Sequence, residues 1–235
     1  LPNCALVGNS ANDEGGGAKG AELANCSIVG NSAAYGGGVC DVDAFNCVIY
    51  YNTAGQENPN WRGNTYLAMQ SCCSEPLAPG AGNFTNAPAL IALRNPRLAA
   101  SSPCIDAGDP AWTEGSLDLG GDPRTHGARV DMGCFEYDAA RLTGTVVSVF
   151  TASATNAAVG FAVEFESQIQ GRAGGYAWNW GGGIASNHPL PEHIFTNAGL
   201  FDVVLTAWNN DGAAQSTSRI VVVAGFTNYV SLTGT

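Results

Sequence analysis

Short apolar segments in the first part of the chain recur between asparagine and glycine residues at a nearly constant spacing. Residues 3–11 (NCALVGNSA) reappear as 25–33 (NCSIVGNSA) and, more loosely, as 46–54 (NCVIYYNTA), at offsets of 22 and 21 residues. The glycine run at 15–17 reappears at 36–38, again at an offset of 21 residues. A period of about 20–25 residues with short strands and Gly/Asn corners is typical of a solenoid.

The repeats contain neither the leucine ladder of leucine-rich repeats nor a helical period. They therefore favour a parallel β-helix with about three short strands per coil, in which equivalent residues stack about 4.8 Å apart. Stacked asparagines can hydrogen-bond along the axis and tolerate left-handed corners. This predicts two asparagine ladders, one of Asn3, Asn25 and Asn46 and one of Asn9, Asn31 and Asn52. We expect Cys4, Cys26 and Cys47 to stack inward as small apolar residues, with an axial disulfide as the alternative.

These Asn-Cys repeats and their Gly-Gly-Gly-Val/Ala turns resemble the right-handed parallel β-helix repeats of secreted bacterial proteins over residues 1 to about 75. Residues 56–64 depart from the repeat and are interpreted as a loop inserted at a corner. Three later motifs resemble the closing signature of the same family; they lie at 102–109 (SPCIDAGD), 117–124 (LDLGGDPR) and 129–136 (RVDMGCFE). The resemblance implies that this segment ends the solenoid after its last full coil and is not a catalytic site.

Five aspartates lie in the glycine-rich loops of this closing segment: Asp106, Asp109, Asp118, Asp122 and Asp131. Neighbouring carboxylates are candidate Ca²⁺ ligands, although none of the five lies in a D-x-D-x-D-G loop. The reading we favour is that they accept backbone N–H bonds in tight turns and pair with Arg124 or Arg129. Paired carboxylates could also hydrolyse glycosidic bonds, but nothing in the sequence places two of them across a cleft. We therefore expect no cofactor, with structural Ca²⁺ as the alternative.

The eight cysteines form no C-x-x-C pair and have no zinc-like spacing to a histidine, which argues against a structural zinc site. In an oxidising, extracellular setting some of them are disulfide candidates. A bridge between Cys104 and Cys134 would join two of the closing motifs. Because Cys72 and Cys73 are adjacent, at least one is expected to pair with a distant partner, for which Cys40 is the candidate. The sequence leaves the connectivity open.

After residues 138–145, interpreted as a linker, the pattern changes to longer alternating strands at 146–150, 162–167, 201–208 and 218–223. About 80 residues with strands of this kind predict an immunoglobulin-like β-sandwich. No cysteine follows Cys134, so this sandwich has no inter-sheet disulfide.

Two motifs in this region resemble those of PKD domains, over residues 145–225. Residues 176–183 (YAWNWGGG) are similar to the family's W-D-F-G-D-G segment, and 193–209 are similar to its H-x-Y…G-x-Y-x-V-x-L-T-x-x-N stretch. Asn179 and Gly182 stand where the family usually has aspartate, which weakens any inference of metal binding.

The aromatic residues of these motifs are expected to pack in the sandwich core. They are Trp178, Trp180 and Phe201, and a surface Trp that stacks on sugar rings is the alternative. We expect His193 to hydrogen-bond within the sandwich and not to act in catalysis.

Composition excludes two classes of partner. Charged residues make up 12% of the chain, the net charge is −11 and Lys19 is the single lysine, so no basic patch is available for nucleic acid. No apolar run reaches the about 18 residues that would span a bilayer, which argues against membrane insertion.

The sequence thus predicts an all-β chain: β-helix coils and closing segment over 1–137, a linker over 138–145, a PKD-like sandwich over 146–225, and a tail or the start of a further module over 226–235. We expect an extracellular or cell-surface location and a cut through a longer array of modules. The favoured hypothesis is a non-catalytic scaffold, adhesin or self-assembling fibre, which associates with itself or continues into further modules.

Two alternatives stay open at this point. The parent protein could be a polysaccharide-degrading enzyme whose active coils lie outside this chain. The chain could instead be a carbohydrate-binding module that holds a glycan with loop aromatics, for which Trp61, Tyr66 and Trp112 are the candidates.

Overall fold

The structure, a computed structural model, describes residues 1–63, 68–186 and 188–225. It is all-β, as predicted, and the helices in those ranges are two 3₁₀ turns at Pro110–Trp112 and Ala139–Arg141. No helix in the described ranges is long and apolar enough to cross a membrane.

The first module is a β-solenoid of about three coils, which confirms the interpretation of the repeats. Its strands are β1 (Ala5–Val7), β2 (Ala18–Lys19), β3 (Glu22–Ala24), β4 (Ser27–Val29), β5 (Ser32–Tyr35), β6 (Val39–Cys40), β7 (Asp43–Phe45), β8 (Val48–Tyr50), β9 (Thr53–Glu57), β10 (Trp61–Arg62), β11 (Met69–Gln70) and β12 (Cys73–Ser74). Parallel sheets run along the coils in the orders β1-β4-β8-β12, β2-β6-β10, β3-β7-β11 and β5-β9. A coil therefore contributes four strands and not the predicted three.

The recurring asparagines and glycines occupy corners that few other residues fit. Asn3, Asn25 and Asn46 have φ between 51° and 53°, the left-handed conformation that asparagine tolerates. A Cβ atom at Gly37 would overlap the carbonyl oxygen of Thr53, which lies on the following coil. This close approach of two backbones explains why the repeated run has glycine at position 37, where no side chain fits.

One of the two predicted asparagine columns forms a ladder. Asn9 Nδ2 donates to Asn31 Oδ1 at 3.1 Å, and Asn31 Nδ2 donates to Asn52 Oδ1 at 2.9 Å. Asn60 extends the ladder from the inserted loop, because its Oδ1 accepts from Asn52 Nδ2 at 2.9 Å. The ladder predicted for the other three asparagines is wrong, since their side chains bond to the closing segment.

Small and branched apolar residues fill the inside of the coils. Cys26, Cys47 and Cys72 are fully buried there in one cluster with Ile28 and Ile49, and Cys4 lies at the margin of that cluster. The inward stacking predicted for the repeat cysteines is confirmed. Residues 75–86 cover the last coil, where Ala78 joins the cluster and Phe84 bridges to Cys73.

The closing segment, which follows the last coil in sequence, runs along the side of the coils. Asn3 Nδ2 donates to Glu114 O at 3.1 Å, and Glu114 N donates to Asn25 Oδ1 at 3.2 Å. Asn46 both donates to Asp109 O and accepts from Asp109 N, at 3.0 and 2.7 Å. The segment therefore binds one corner of each of the three coils.

The second module is a sandwich of two sheets, preceded by a hairpin of the first module. The strands are β13 (Leu90–Ala92), β14 (Asn95–Leu98), β15 (Phe150–Ala152), β16 (Asn156–Ala158), β17 (Ala162–Ser167), β18 (Gly175–Asn179), β19 (Ile184–Ser186), β20 (Glu192–Ile194), β21 (Gly199–Asn209) and β22 (Gly212–Val223). The sheets have the orders β15-β17-β20 and β16-β22-β21-β18-β19, and β13 pairs with β14. Antiparallel pairs dominate the sandwich, while β16 runs parallel to β22.

The β13–β14 hairpin and the sandwich share one apolar core. Ile91 and Ala92 of the hairpin lie fully buried in the cluster that contains Trp178. Backbone oxygens of the hairpin accept from the sandwich, with Tyr176 Oη to Leu90 O at 3.0 Å and Ser167 Oγ to Ile91 O at 3.4 Å. The two modules therefore pack against each other through a shared apolar core.

Candidate functional site

The five candidate Ca²⁺ ligands each accept hydrogen bonds from backbone amides or arginines. Asp106 Oδ1 accepts from the amides of Ala128 and Arg129, both at 2.9 Å, and Asp109 Oδ1 accepts from Ala111 N at 3.0 Å. These are the turn contacts that the sequence favoured for aspartate.

Two further candidates, Asp118 and Asp131, accept hydrogen bonds inside the closing segment. Asp118 accepts from the amides of Gly120, Asp122 and Glu136 at 2.7 to 2.9 Å, and Asp131 accepts from those of Asp106 and Tyr137. Across residues 1–63, 68–186 and 188–225, no three His, Cys, Asp or Glu side chains are grouped as a metal ion requires. The structure therefore does not bring the five aspartates together into a calcium site.

A buried contact between an arginine and a glutamate lies at the centre of the closing segment. Arg124 is 1% exposed; its Nη2 lies 2.9 Å from Glu136 Oε1 and donates to the carbonyls of Asp131 and Gly133 at 3.0 and 2.8 Å. Burial raises the pKa of Glu136 to about 8 and that of Asp131 to about 6, against the opposing effect of the guanidinium. Arg124 thus pairs with a glutamate, whereas the sequence suggested an aspartate.

Asp122 joins the closing segment to the rest of the chain. Arg141 Nη1 donates to its Oδ1 at 2.7 Å, and Arg172 of the sandwich donates to its Oδ2. Burial opposes ionisation, but the bonds from Arg172 and Arg141 outweigh it and lower the pKa of Asp122. This carboxylate supports the contact between the two modules and is not available as a free acid or base.

All eight cysteines are free thiols in this structure, so the candidate bridges from Cys104 to Cys134 and from Cys40 to Cys72 or Cys73 are not formed in it. Successive residues of a strand point to opposite faces. Cys72 therefore joins the column inside the coils, whereas Cys73 faces the closing segment, where it lies in one buried cluster with Cys104 and its thiol donates to Asn86 O at 3.1 Å. Cys134 lies elsewhere, with its amide on Ser27 Oγ at 3.1 Å.

The loop aromatics differ in what they contact. Trp61 packs against the coil core, and its Nε1 donates to Pro76 O at 2.9 Å, so both its ring and its polar atom are engaged. Trp112 stacks on Phe45 with ring centroids 4.1 Å apart and is 37% exposed, which leaves one face open. Tyr66, the third candidate for binding a glycan, lies outside the described residues.

Aromatic rings form a continuous stack inside the sandwich. Trp178 stacks on Trp180 at 5.3 Å, and Trp180 stacks on His193 at 4.9 Å with only 10° between their planes. Phe201 contacts Phe195 at 4.7 Å. Burial lowers the pKa of His193, which favours the neutral ring. Both tryptophans are buried, as predicted, while the contacts of His193 are ring contacts and not the predicted hydrogen bonds.

A cleft opens beside this stack at the edge of the sandwich. It has a volume of about 420 Å³ and is bordered by Trp180, His193, Phe201 and the glycines 181–183. A second hollow of about 470 Å³ lies on the other side of His193, towards His188. Sequence reasoning missed this cleft, because its walls come from segments that also read as ordinary core.

Comparison with known proteins agrees with this geometry. The family model described as the PKD domain matches residues 148–222, from two residues before β15 to the penultimate residue of β22. Residues 148–222 are a PKD domain. Asn179, which departs from the family pattern, shapes the glycine loop of this domain, since its Oδ1 accepts from the amides of Gly181 at 2.9 Å and Gly183 at 3.4 Å.

Several solved structures are similar to part of the chain. The PKD1 domain of the Vibrio cholerae metalloprotease PrtV is 23% identical over 33% of this chain and 95% of its own length, with a TM-score of 0.29. The PKD1 domain of Vibrio anguillarum Epp is 23% identical over 35% of this chain and 98% of its own, with a TM-score of 0.30.

A structure reported for carbohydrate-binding modules of the β-sandwich superfamily is 22% identical over 35% of this chain, with a TM-score of 0.31. The match covers 36% of that chain's own length. No curated protein matches the chain.

Proposed function

We propose that this chain is a non-catalytic segment of a large modular extracellular protein, which acts as a scaffold, adhesin or self-assembling fibre. The observation that supports it is the apolar core shared by the β13–β14 hairpin and the PKD domain, because an apolar interface of this kind keeps two modules in a fixed orientation. PKD domains occur in extracellular proteins, which supports the location. The closing-segment carboxylates are engaged in turns and ion pairs, so we assign none of them to catalysis.

Self-association is the form of assembly that we propose. In the described chain, strands β1 and β2 have a neighbour on one side only, and their outer backbone groups can pair with a coil of another molecule where no earlier coil of the same protein occupies that edge. Head-to-tail pairing of this kind is heterologous and propagates into filaments.

Sedimentation velocity over a range of protein concentrations tests this assembly. Ala5→Pro removes one outward amide of β1 and is expected to weaken the association. Phe161→Ala removes an exposed apolar side chain of the PKD domain, away from the coils, and serves as the control. A chain that stays monomeric at every concentration, or an association that only Phe161→Ala weakens, would contradict the proposed assembly.

Glycan binding is the second candidate function, and the exposed face of Trp112 favours it. A glycan array is expected to show one defined ligand whose signal is lost in Trp112→Ala and kept in Trp61→Ala. A silent array would exclude this candidate and leave the scaffold proposal unaffected.

A further inference from the structure

We propose that the edge strand β20 of the PKD domain binds an extended peptide in which basic and apolar side chains alternate. This inference is independent of the scaffold proposal. It rests on the free edge of β20, on the two hollows beside His193 and on unpaired carboxylates on the outer face of the same sheet.

Among the described strands, β20 is the last strand of its sheet and pairs with β17 alone. Phe165 N donates to Pro191 O at 2.9 Å, so these two residues stand at a hydrogen-bonded position of the ladder. Because hydrogen-bonded and non-hydrogen-bonded pairs alternate along antiparallel strands, the next residue of β20 that bonds to β17 is His193 and not its neighbours. The N–H and C=O groups of Glu192 and Ile194 therefore point away from β17. They provide the main-chain donors and acceptors by which a sheet edge takes up an extended peptide.

The side chain of His193 points towards the sandwich interior, where the two hollows lie on either side of it. Inward side chains of an added strand recur every about 7 Å and would fall beside His193 and into these hollows. Their walls include Trp180, Phe195 and Phe201 in one hollow and Leu190 and Pro191 in the other. Apolar side chains are the ones such walls bind.

The outer face of the sheet has the opposite character. Glu164 lies directly opposite Glu192 in the register of β17 and β20, as a non-hydrogen-bonded pair whose side chains are close. Glu166 lies on the same face and borders a cleft with both of them. Within the described chain none of the three forms an ion pair, although like charges directly opposite destabilise a sheet.

Charge complementarity therefore selects the partner. Outward side chains of the added strand lie next to Glu192, so lysine or arginine there relieves the repulsion. A second copy of this chain fits poorly, because it has 9 Lys and Arg residues against 20 Asp and Glu, and most of its basic side chains are already in ion pairs. The occupant is a basic, extended segment of another protein.

The test is an NMR titration of the ¹⁵N-labelled full chain with the peptide Ser-Phe-Arg-Ala-Arg-Val-Ser. We expect the amides of Glu192, His193 and Ile194 and the indole of Trp180 to shift. One control peptide has glutamate at both arginine positions. A second control peptide carries N-methyl groups on the backbone amides of both arginines, because these amides would face β20. Each is expected to bind at least about tenfold more weakly, since main-chain bonds and charge both contribute.

The protein variant for this test is Glu164→Gln/Glu192→Gln, and Glu57→Gln on the solenoid is the matched control. Exposed charge pairs contribute about 0.2–1 kcal/mol each, so the double change should weaken binding about two- to thirtyfold while the control does not change it. The double variant keeps two exposed polar side chains and should fold at least as stably as the parent. Equal binding of the N-methylated peptide, shifts that map away from β20, or no shift at about 1 mM peptide would overturn the proposal.

Discussion

Ile91 provides a direct test of the shared core. It belongs by sequence to the first module, yet it is fully buried in the cluster of the PKD domain. Ile91→Ala removes three buried carbons, which costs about 2.4 kcal/mol in transfer free energy at about 0.8 kcal/mol per carbon. The unfilled cavity brings the expected loss of unfolding free energy to about 3–4 kcal/mol.

Urea unfolding followed by tryptophan fluorescence measures this loss. Trp61 and Trp112 are first replaced by phenylalanine, so that the signal comes from the tryptophans of the PKD domain. Ile91→Ala should then lower the midpoint of the transition, while Leu200→Ala, whose side chain is 66% exposed, should leave the unfolding free energy within about 0.5 kcal/mol. A PKD transition that does not respond to Ile91→Ala would refute the reasoning, because the hairpin would then not be part of that core.

Three further predictions concern the closing segment. Asp122→Asn removes the charge that binds Arg141 and Arg172 and should lower the unfolding free energy in urea by about 1–3 kcal/mol; no change would show that these contacts are dispensable. Burial raises the pKa of Glu136 from 4.5 to about 8, so folding takes up a proton between these two pH values. The contribution of Glu136 to the unfolding free energy is therefore complete below pH 4.5 and is lost as the pH rises through about 8. Glu136→Gln should flatten that dependence in urea titrations at several pH values, and an unchanged slope would contradict the assignment. Because Cys73 and Cys104 lie in one buried cluster that does not contain Cys134, oxidation of the folded chain by a small disulfide should join Cys73 to Cys104, with two thiols losing two electrons and two protons to the reagent; peptide mapping that finds Cys104 with Cys134 would contradict the structure.

The solenoid was predictable because each coil places the same types of residue at equivalent positions. The offset of the Asn-Cys repeat is the spacing at which β1, β4 and β8 pair, so the sequence contains the register. The role of Asn3, Asn25 and Asn46 was not predictable in the same way. Left-handed corners and axial ladders both favour asparagine, so the residue type does not distinguish the two roles. The hydrogen-bond partners that these asparagines have in the structure lie some 60 to 110 residues away in the sequence.

The candidate sites, like the solenoid, could be predicted from the sequence only in part. Strand alternation decides that Cys73 and not Cys72 meets the closing segment, but the sequence does not specify where that strand begins. The hairpin of Leu90–Ala92 and Asn95–Leu98 is too short for its pattern to indicate which core it enters. The cleft beside His193 depends on two strand edges that come together only in the folded sandwich.

Residual dipolar couplings from both modules of one weakly aligned sample test the central claim most directly. If the solenoid and the PKD domain are held in a fixed orientation by their shared core, couplings from residues 1–63 and from residues 148–222 will fit a single alignment tensor. Two tensors of different magnitude would show that the modules reorient independently, and the account of a rigid two-module scaffold would be wrong.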